Sequence, residues 1–258
     1  HRAGGVMVLF DRLGYGKSDS LHGPQNADEI AADAHAVLQH MHVEPPFVVV
    51  GHGLGCLYAD HFARQYASQI QGAVFVDPVA PRGVWGPDCP ADIVEEFVCP
   101  TERQLWRKQI LAFMGVYRLL GIMPLDYSDV DLDADMHAQL LKHYADARLY
   151  QTMRWEILNN MTAEAFEEPS VAFPVGVPVR VVYHSSAKQD KLNAAVASRV
   201  LDSSGMEKKW RQIAEDYAKR YGAPGVQIAE RSTHYVHLEQ PDLLAQVILS
   251  LAPSGESS

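Results

Sequence analysis

The chain has 258 residues, of which 47% are hydrophobic and 21% charged, enough to bury one sizeable α/β core carrying an insertion. A net charge of −10, from 22 basic against 32 acidic residues, and the lack of any basic patch with interleaved aromatics argue against nucleic acid as a partner. No window holds the ~20 apolar residues of a membrane span, because the richest, Ile110 to Leu125, is broken by Arg118 and two glycines.

In chain order, Val6-Met7-Val8-Leu9-Phe10 reads as a strand buried on both faces, closed by Asp11 and the turn Gly14-Tyr15-Gly16-Lys17-Ser18-Asp19. Asn26 with Glu29 makes a capping pair. Ile30, Ala34, Val37, Leu38 and Met41 then recur at helical spacing. Pro45-Pro46 stops that helix, and Phe47 to Val50 gives a second strand. Leu54, Tyr58, Phe62, Tyr66 and Ile70 repeat every four residues, which predicts an amphipathic helix. Ala73 to Val76 is a third strand, ended by Asp77-Pro78. This alternation predicts right-handed βαβ units and a parallel sheet.

From Pro81 to about Pro174 the character changes. Helical stretches around Glu95–Leu120 and Met136–Met161 hold two of the four tryptophans, a third (Trp85) lies nearby, and no strand is convincing. This block reads as a helical cap inserted into the sheet, giving a core of residues 1–80 and 174–258 and a cap of residues 81–173. Strands resume at Val177–Tyr183 and Val226–Ala229, a last helix follows Pro241, and the tail Pro253–Ser258 reads as disordered.

Cys56, Cys89 and Cys99 show no metal spacing, which argues for reduced thiols, with a Cys89–Cys99 bridge left open. No metal or organic cofactor is implied. A cytoplasmic setting is favoured, although any targeting segment would lie upstream of His1. Nothing in the sequence speaks to oligomeric state.

The stretch Val48-Val49-Val50-Gly51-His52-Gly53-Leu54-Gly55-Cys56 runs a strand into a helix through a glycine-spaced turn. A nucleophile elbow is written G-x-S-x-G, with the flanking glycines making room where strand and helix almost touch. Here the central residue is Gly53. A side chain at that tip is held in a strained backbone conformation, costing on the order of 1–3 kcal/mol and kept only for function. Gly53 removes both the strain and the hydroxyl.

Four segments in this order, DRLGYGKSD, GHGLG, VFVDP and STHYVHLEQPD, resemble the α/β-hydrolase superfamily, in particular bacterial cap-bearing members with a DRxGYGxSD turn and a GHxxGGLY elbow. The resemblance implies an α/β-hydrolase fold, a mostly parallel sheet flanked by helices. It also implies a triad in the order Ser, acid, His. Carried over by position, Gly53 is the vacated nucleophile slot and His234, five residues before Glu239, is the base. His237 is the competitor for that role, and packing or capping suits it better.

Asp77 is favoured as the acid, with Asp190 as the alternative. Asp77 resembles the LDP placement of some lipases in the superfamily. Asp190 is the first carboxylate after Tyr183-His184-Ser185-Ser186-Ala187, where many relatives carry G-x-x-D. The Leu54 N–H is the implied oxyanion donor and His52 supports the turn. Cys56 reads as a small buried helix residue. Relatives begin with three further strands, and the loop after the third supplies a second oxyanion donor. These strands are missing here, which leaves a gap between the Val6–Phe10 run and the elbow strand and suggests that His1 is not the native start.

The implied function is that of an ancestral ester, amide or lactone hydrolase without its serine, weak or inactive, binding a small ester-like ligand. One alternative is an active, carboxylesterase-like serine hydrolase whose serine is lost only in this copy. A second is a protein-interaction module using Leu105–Leu125 of the cap surface. If that stretch instead forms the underside of the cap, Trp106, Phe113 and Tyr117 line the substrate pocket.

Overall fold

Four short apolar runs pair side by side in a computed structural model of the chain, which describes residues 6–80, 100–122, 133–162, 164–167, 171–184 and 203–252. The runs are β1 (Phe47–His52), β2 (Ile70–Val76), β3 (Val179–His184) and β4 (Val226–Ala229). They lie in the order β1-β2-β3-β4 and every neighbouring pair is parallel. Asp190, Cys89, Cys99 and the tail from Pro253 to Ser258 fall outside the described residues.

The inner strands β2 and β3 are covered on both faces and nearly all buried, whereas Val50 of β1 and Ile228 of β4 are partly exposed. In β2 successive side chains point oppositely. Phe75 faces a layer containing Cys56, Val181, Trp210, Ile213 and Tyr217. Val74 and Val76 face Val182, Val236, Val247 and Leu251. The first layer is built by helices α2 (Gly55–Gln65) and α7 (Ser203–Arg220), the second by α8 (Val236–Glu239) and α9 (Pro241–Leu249). Helix α1 (Ala27–His40) packs on α2. Its start is set by a reciprocal cap, in which the Glu29 N–H donates to Asn26 Oδ1 at 2.9 Å and the Asn26 N–H to Glu29 Oε2 at 2.8 Å.

Between β2 and β3 the chain forms α3 (Glu102–Phe113), α4 (Val116–Leu120), α5 (Ala134–Tyr144) and α6 (Ala147–Asn160). They share a core of Leu105, Ala112, Tyr117, Tyr144, Leu149 and Tyr150. The helical stretch around Met136–Met161 is two helices, because Asp146 caps the start of α6 by accepting the Arg148 N–H at 2.9 Å.

Two expectations are corrected, the first being the helix expected from Leu54 to Ile70, which ends at Gln65 with Ile70 opening β2. The run Val6–Phe10 is not a strand, and Val6 and Leu9 are 79% and 84% exposed. Local composition marks a candidate strand, but a strand exists only with a backbone partner. Among the described residues β1 is the last strand on that side. Helix α7 was not anticipated, although Trp210, Ile213, Ala214, Tyr217 and Ala218 are all buried and recur at helical spacing. No described helix is long and apolar enough to cross a membrane.

Candidate active site

All four strands deliver their carboxyl ends to one place, the end of a parallel sheet at which ligand sites form. Strand β1 ends in His52 and turns at Gly53, whose φ of +57° lies in the left-handed region. The Gly53 N–H donates to the Val76 carbonyl at 3.0 Å, which ties the turn to the end of β2. Helix α2 then starts so close to the strand that a Cβ on Gly51 would lie 2.4 Å from the Gly55 carbonyl oxygen and 2.6 Å from the Cys56 Cα. Only glycine fits at 51. Gly55 differs from expectation, since a Cβ there meets nothing within 4 Å and its backbone carbonyl is what crowds Gly51.

Asp77 follows β2 directly. It is fully buried, and its φ of +48° is unusual for a residue with a side chain, though Asp tolerates it better than most. Its Oδ2 accepts a hydrogen bond from His234 Nδ1 at 2.5 Å, and its Oδ1 accepts one from His184 Nδ1 at 2.7 Å. Burial opposes the charge, but these two donors outweigh it and hold the carboxyl well below the usual carboxylate range.

His234 sits between β4 and α8. An ionised carboxylate only accepts, so His234 carries its proton on Nδ1 and, when neutral, keeps Nε2 bare. That Nε2 and the neighbouring Cε1 both lie 3.5 Å from where a Cβ on Gly53 would be. An oxygen one bond beyond that Cβ can reach hydrogen-bonding distance of the ring. Gly53 and His234 thus face each other, with Asp77 behind the imidazole.

His52 braces the arrangement by donating from Nε2 to the His234 carbonyl at 2.8 Å, with its ring centroid 4.4 Å from that of His234. Burial, assisted by His234, lowers the His52 pKa to about 3 and keeps the ring neutral. His237 packs against the His52 ring at 4.8 Å, and Asp77 takes no hydrogen bond from it. Cys56 is fully buried, its thiol donating to the Gly51 carbonyl at 3.3 Å and the Val76 carbonyl at 3.5 Å, and burial raises its pKa well above the ordinary value. Leu54 precedes the first helical residue, and its N–H has no acceptor among the described residues.

The three pocket candidates lie on α3 and α4. Tyr117 belongs to the core of the helical insertion, while Trp106 and Phe113 are 51% and 84% exposed. None of the three comes within 4 Å of a Cβ at position 53. The buried residues of α3 are Leu105 and Ala112, and each exposed aromatic is one position further on, rotated about 100° away. Among the described residues no group of three or more His, Cys, Asp or Glu is arranged to hold a metal ion.

Two features escaped the sequence reading. His184, the second imidazole on Asp77, ends β3 at the point where a carboxylate was sought, so a polar residue closing an apolar run was the available signal. Glu156 of α6 is the other. It accepts from Arg12 at 2.5 Å, from the Tyr58 hydroxyl at 2.6 Å and from the Tyr15 hydroxyl. Arg12 lies between the Tyr15 and Tyr58 rings, 4.8 and 4.9 Å from their centroids. The DRLGYG turn is therefore tied to α6.

Comparison with known proteins agrees with this architecture. A family model described as the alpha/beta hydrolase family matches residues 1–247. An uncharacterized protein from Schizosaccharomyces pombe is 35% identical over 71 residues, 28% of this chain but only 13% of that relative's length. The fold is similar to that of a probable hydrolytic enzyme from Pseudomonas aeruginosa, with a TM-score of 0.57, 17% identity and coverage of 93% of this chain and 74% of the other. It is also similar to a thermophilic esterase from Thermogutta terrifontis, with a TM-score of 0.52, 16% identity and coverage of 92% and 76%.

Proposed function

Because the chain belongs to the alpha/beta hydrolase family, we propose that it is a hydrolase scaffold with its nucleophile position vacated at Gly53, binding a small ester-, amide- or lactone-like ligand and turning it over slowly or not at all. One observation carries this reading. The backbone at 53 keeps the left-handed turn of an elbow, and the bare nitrogen of His234 faces the place where an attacking oxygen belongs.

The residues divide as follows. His234 is the base, Asp77 orients it, and the Leu54 N–H is a donor for a developing oxyanion. With no hydroxyl at 53, the route left is water. His234 Nε2 takes a proton as a water oxygen adds to the ligand carbonyl. It returns that proton to the leaving oxygen or nitrogen when the tetrahedral adduct collapses. Loss of a serine nucleophile costs several powers of ten in rate, and a residual 10³–10⁴-fold advantage over water is roughly what binding and the oxyanion donors supply. The helical insertion (residues 81–173), gripped through Glu156, acts as the cap that closes over the ligand.

Cleavage of short-chain activated esters, compared between the unmodified protein and Gly53→Ser, tests this reading. The substitution is expected to raise the rate at least ~100-fold. Efficient turnover by the unmodified protein would refute it.

A further inference from the structure

The Asp77 carboxylate is fully buried, and both of its oxygens are committed to imidazoles, Oδ2 to His234 and Oδ1 to His184. Among the described residues no backbone N–H donates to either oxygen. The torsion that orients an aspartate carboxylate is broad, so one hydrogen bond alone leaves it free to swing. His184 is itself held. It is 1% exposed, it ends β3 where that strand pairs with Ala229 of β4, and its ring packs 4.4 Å from that of Tyr183 and makes a T-shaped contact with Trp210 at 5.8 Å, centroid to centroid.

We infer that His184 is a positioning residue: by donating its Nδ1 proton to Oδ1 it fixes the Asp77 carboxylate plane, so that Oδ2 meets His234 Nδ1 and the bare Nε2 of His234 points at position 53. The inference rests on the Asp77–His234 pair of the proposed function. It adds a fourth residue behind that pair, on a different strand. His184 touches no ligand. It acts through Asp77 on the tautomer of His234, and the wrong tautomer would turn an N–H, in place of a lone pair, toward the cleft.

Imidazole 1H–15N spectra of the full chain without ligand distinguish protonated from bare ring nitrogens and read the His234 tautomer directly. His184→Asn places an amide N–H where Nδ1 sits. His184→Gln carries it about one bond too far, and His184→Leu removes it. The unmodified chain and His184→Asn are expected to show His234 as one Nδ1–H tautomer. His184→Gln and His184→Leu are expected to show a mixture, the tautomer preference falling roughly tenfold, as suits loss of a hydrogen bond to a charged group.

Equal spectra from the Asn and Gln variants, or an unchanged His234 in a folded His184→Leu, would overturn the inference. So would failure of His184→Asn to fold, or loss of fold in both other variants while Asn stays intact, which would leave His184 a purely structural part. Mixed tautomers already present in the unmodified chain would overturn the Asp77–His234 pair itself. Ligand binding and turnover do not enter this measurement, so its failure is separable from failure of the vacated-nucleophile reading.

Discussion

The Cβ that Gly53 lacks would stand 3.5 Å from Nε2 of His234, on the side of the imidazole opposite Asp77. The turn that carries Gly53 is tied to β2 and the loop that carries His234 is tied to His52, so the facing is built into the fold. It also sets what each nearby substitution should do.

The glycines of the elbow are not equivalent. Gly51→Ala pushes a Cβ into backbone atoms at 2.4 and 2.6 Å, which a packed strand–helix contact relieves only by moving, at a cost of about 3 kcal/mol or more. Gly53→Ala meets no such wall but needs a left-handed backbone, at about 1–2 kcal/mol. Gly55→Ala has open space and an ordinary backbone, and is expected to stabilise by about 0.4–1 kcal/mol. Urea unfolding of the three variants should rank them in that order.

Acid should weaken the protein in two separate windows. His52 has an ordinary pKa of 6.5 that falls to about 3 on folding, so the unfolded chain binds the extra proton. Its contribution is complete above the unfolded pKa and is lost as pH falls toward the folded value, about 2 kcal/mol by pH 5. Asp77 is also depressed, but from 3.8, so its share is present above that pH and lost only below it. Urea midpoints at pH 7 and pH 5 should therefore differ, and His52→Gln, which keeps a donor for the His234 carbonyl, should remove most of the difference. A drop confined to below pH 4 would contradict this assignment.

Glu156 collects three donors on α6, two from the DRLGYG turn and one from α2. Glu156→Gln removes the charge that Arg12 faces while leaving a similar shape, and Arg12 is itself 32% exposed on its side chain. Solvent screening therefore limits the cost to about 1–2 kcal/mol. Hydrogen exchange should show the loss locally, with faster exchange in α6 and unchanged protection in β2. Uniform loss across both would mean that the contact stabilises the whole fold and has no particular hold on the insertion.

The sheet was largely legible because each buried strand is a short apolar run bounded by turn residues, and the α1 cap is a local reciprocal contact. The run Val6–Phe10 carries the same local signature and misleads, since pairing is decided by a neighbour that composition does not reveal. Gly53, His234 and Asp77 could be placed because each follows a strand end, and parallel strands bring those ends together. His184 and Glu156 were hidden because their roles depend on contacts across 107 residues to Asp77 and 144 residues to Arg12, which no spacing rule encodes. Trp106 and Phe113 are exposed because each lies one residue of helical phase past a buried position, Leu105 and Ala112.

A fluorophosphonate probe forms a covalent adduct only with an activated nucleophile, so the mass of the elbow peptide after labelling reads position 53 most directly. The account predicts no adduct on the unmodified chain and a stoichiometric one on Gly53→Ser. Labelling of the unmodified chain at any residue facing His234, or a folded Gly53→Ser that stays unlabelled, would contradict it.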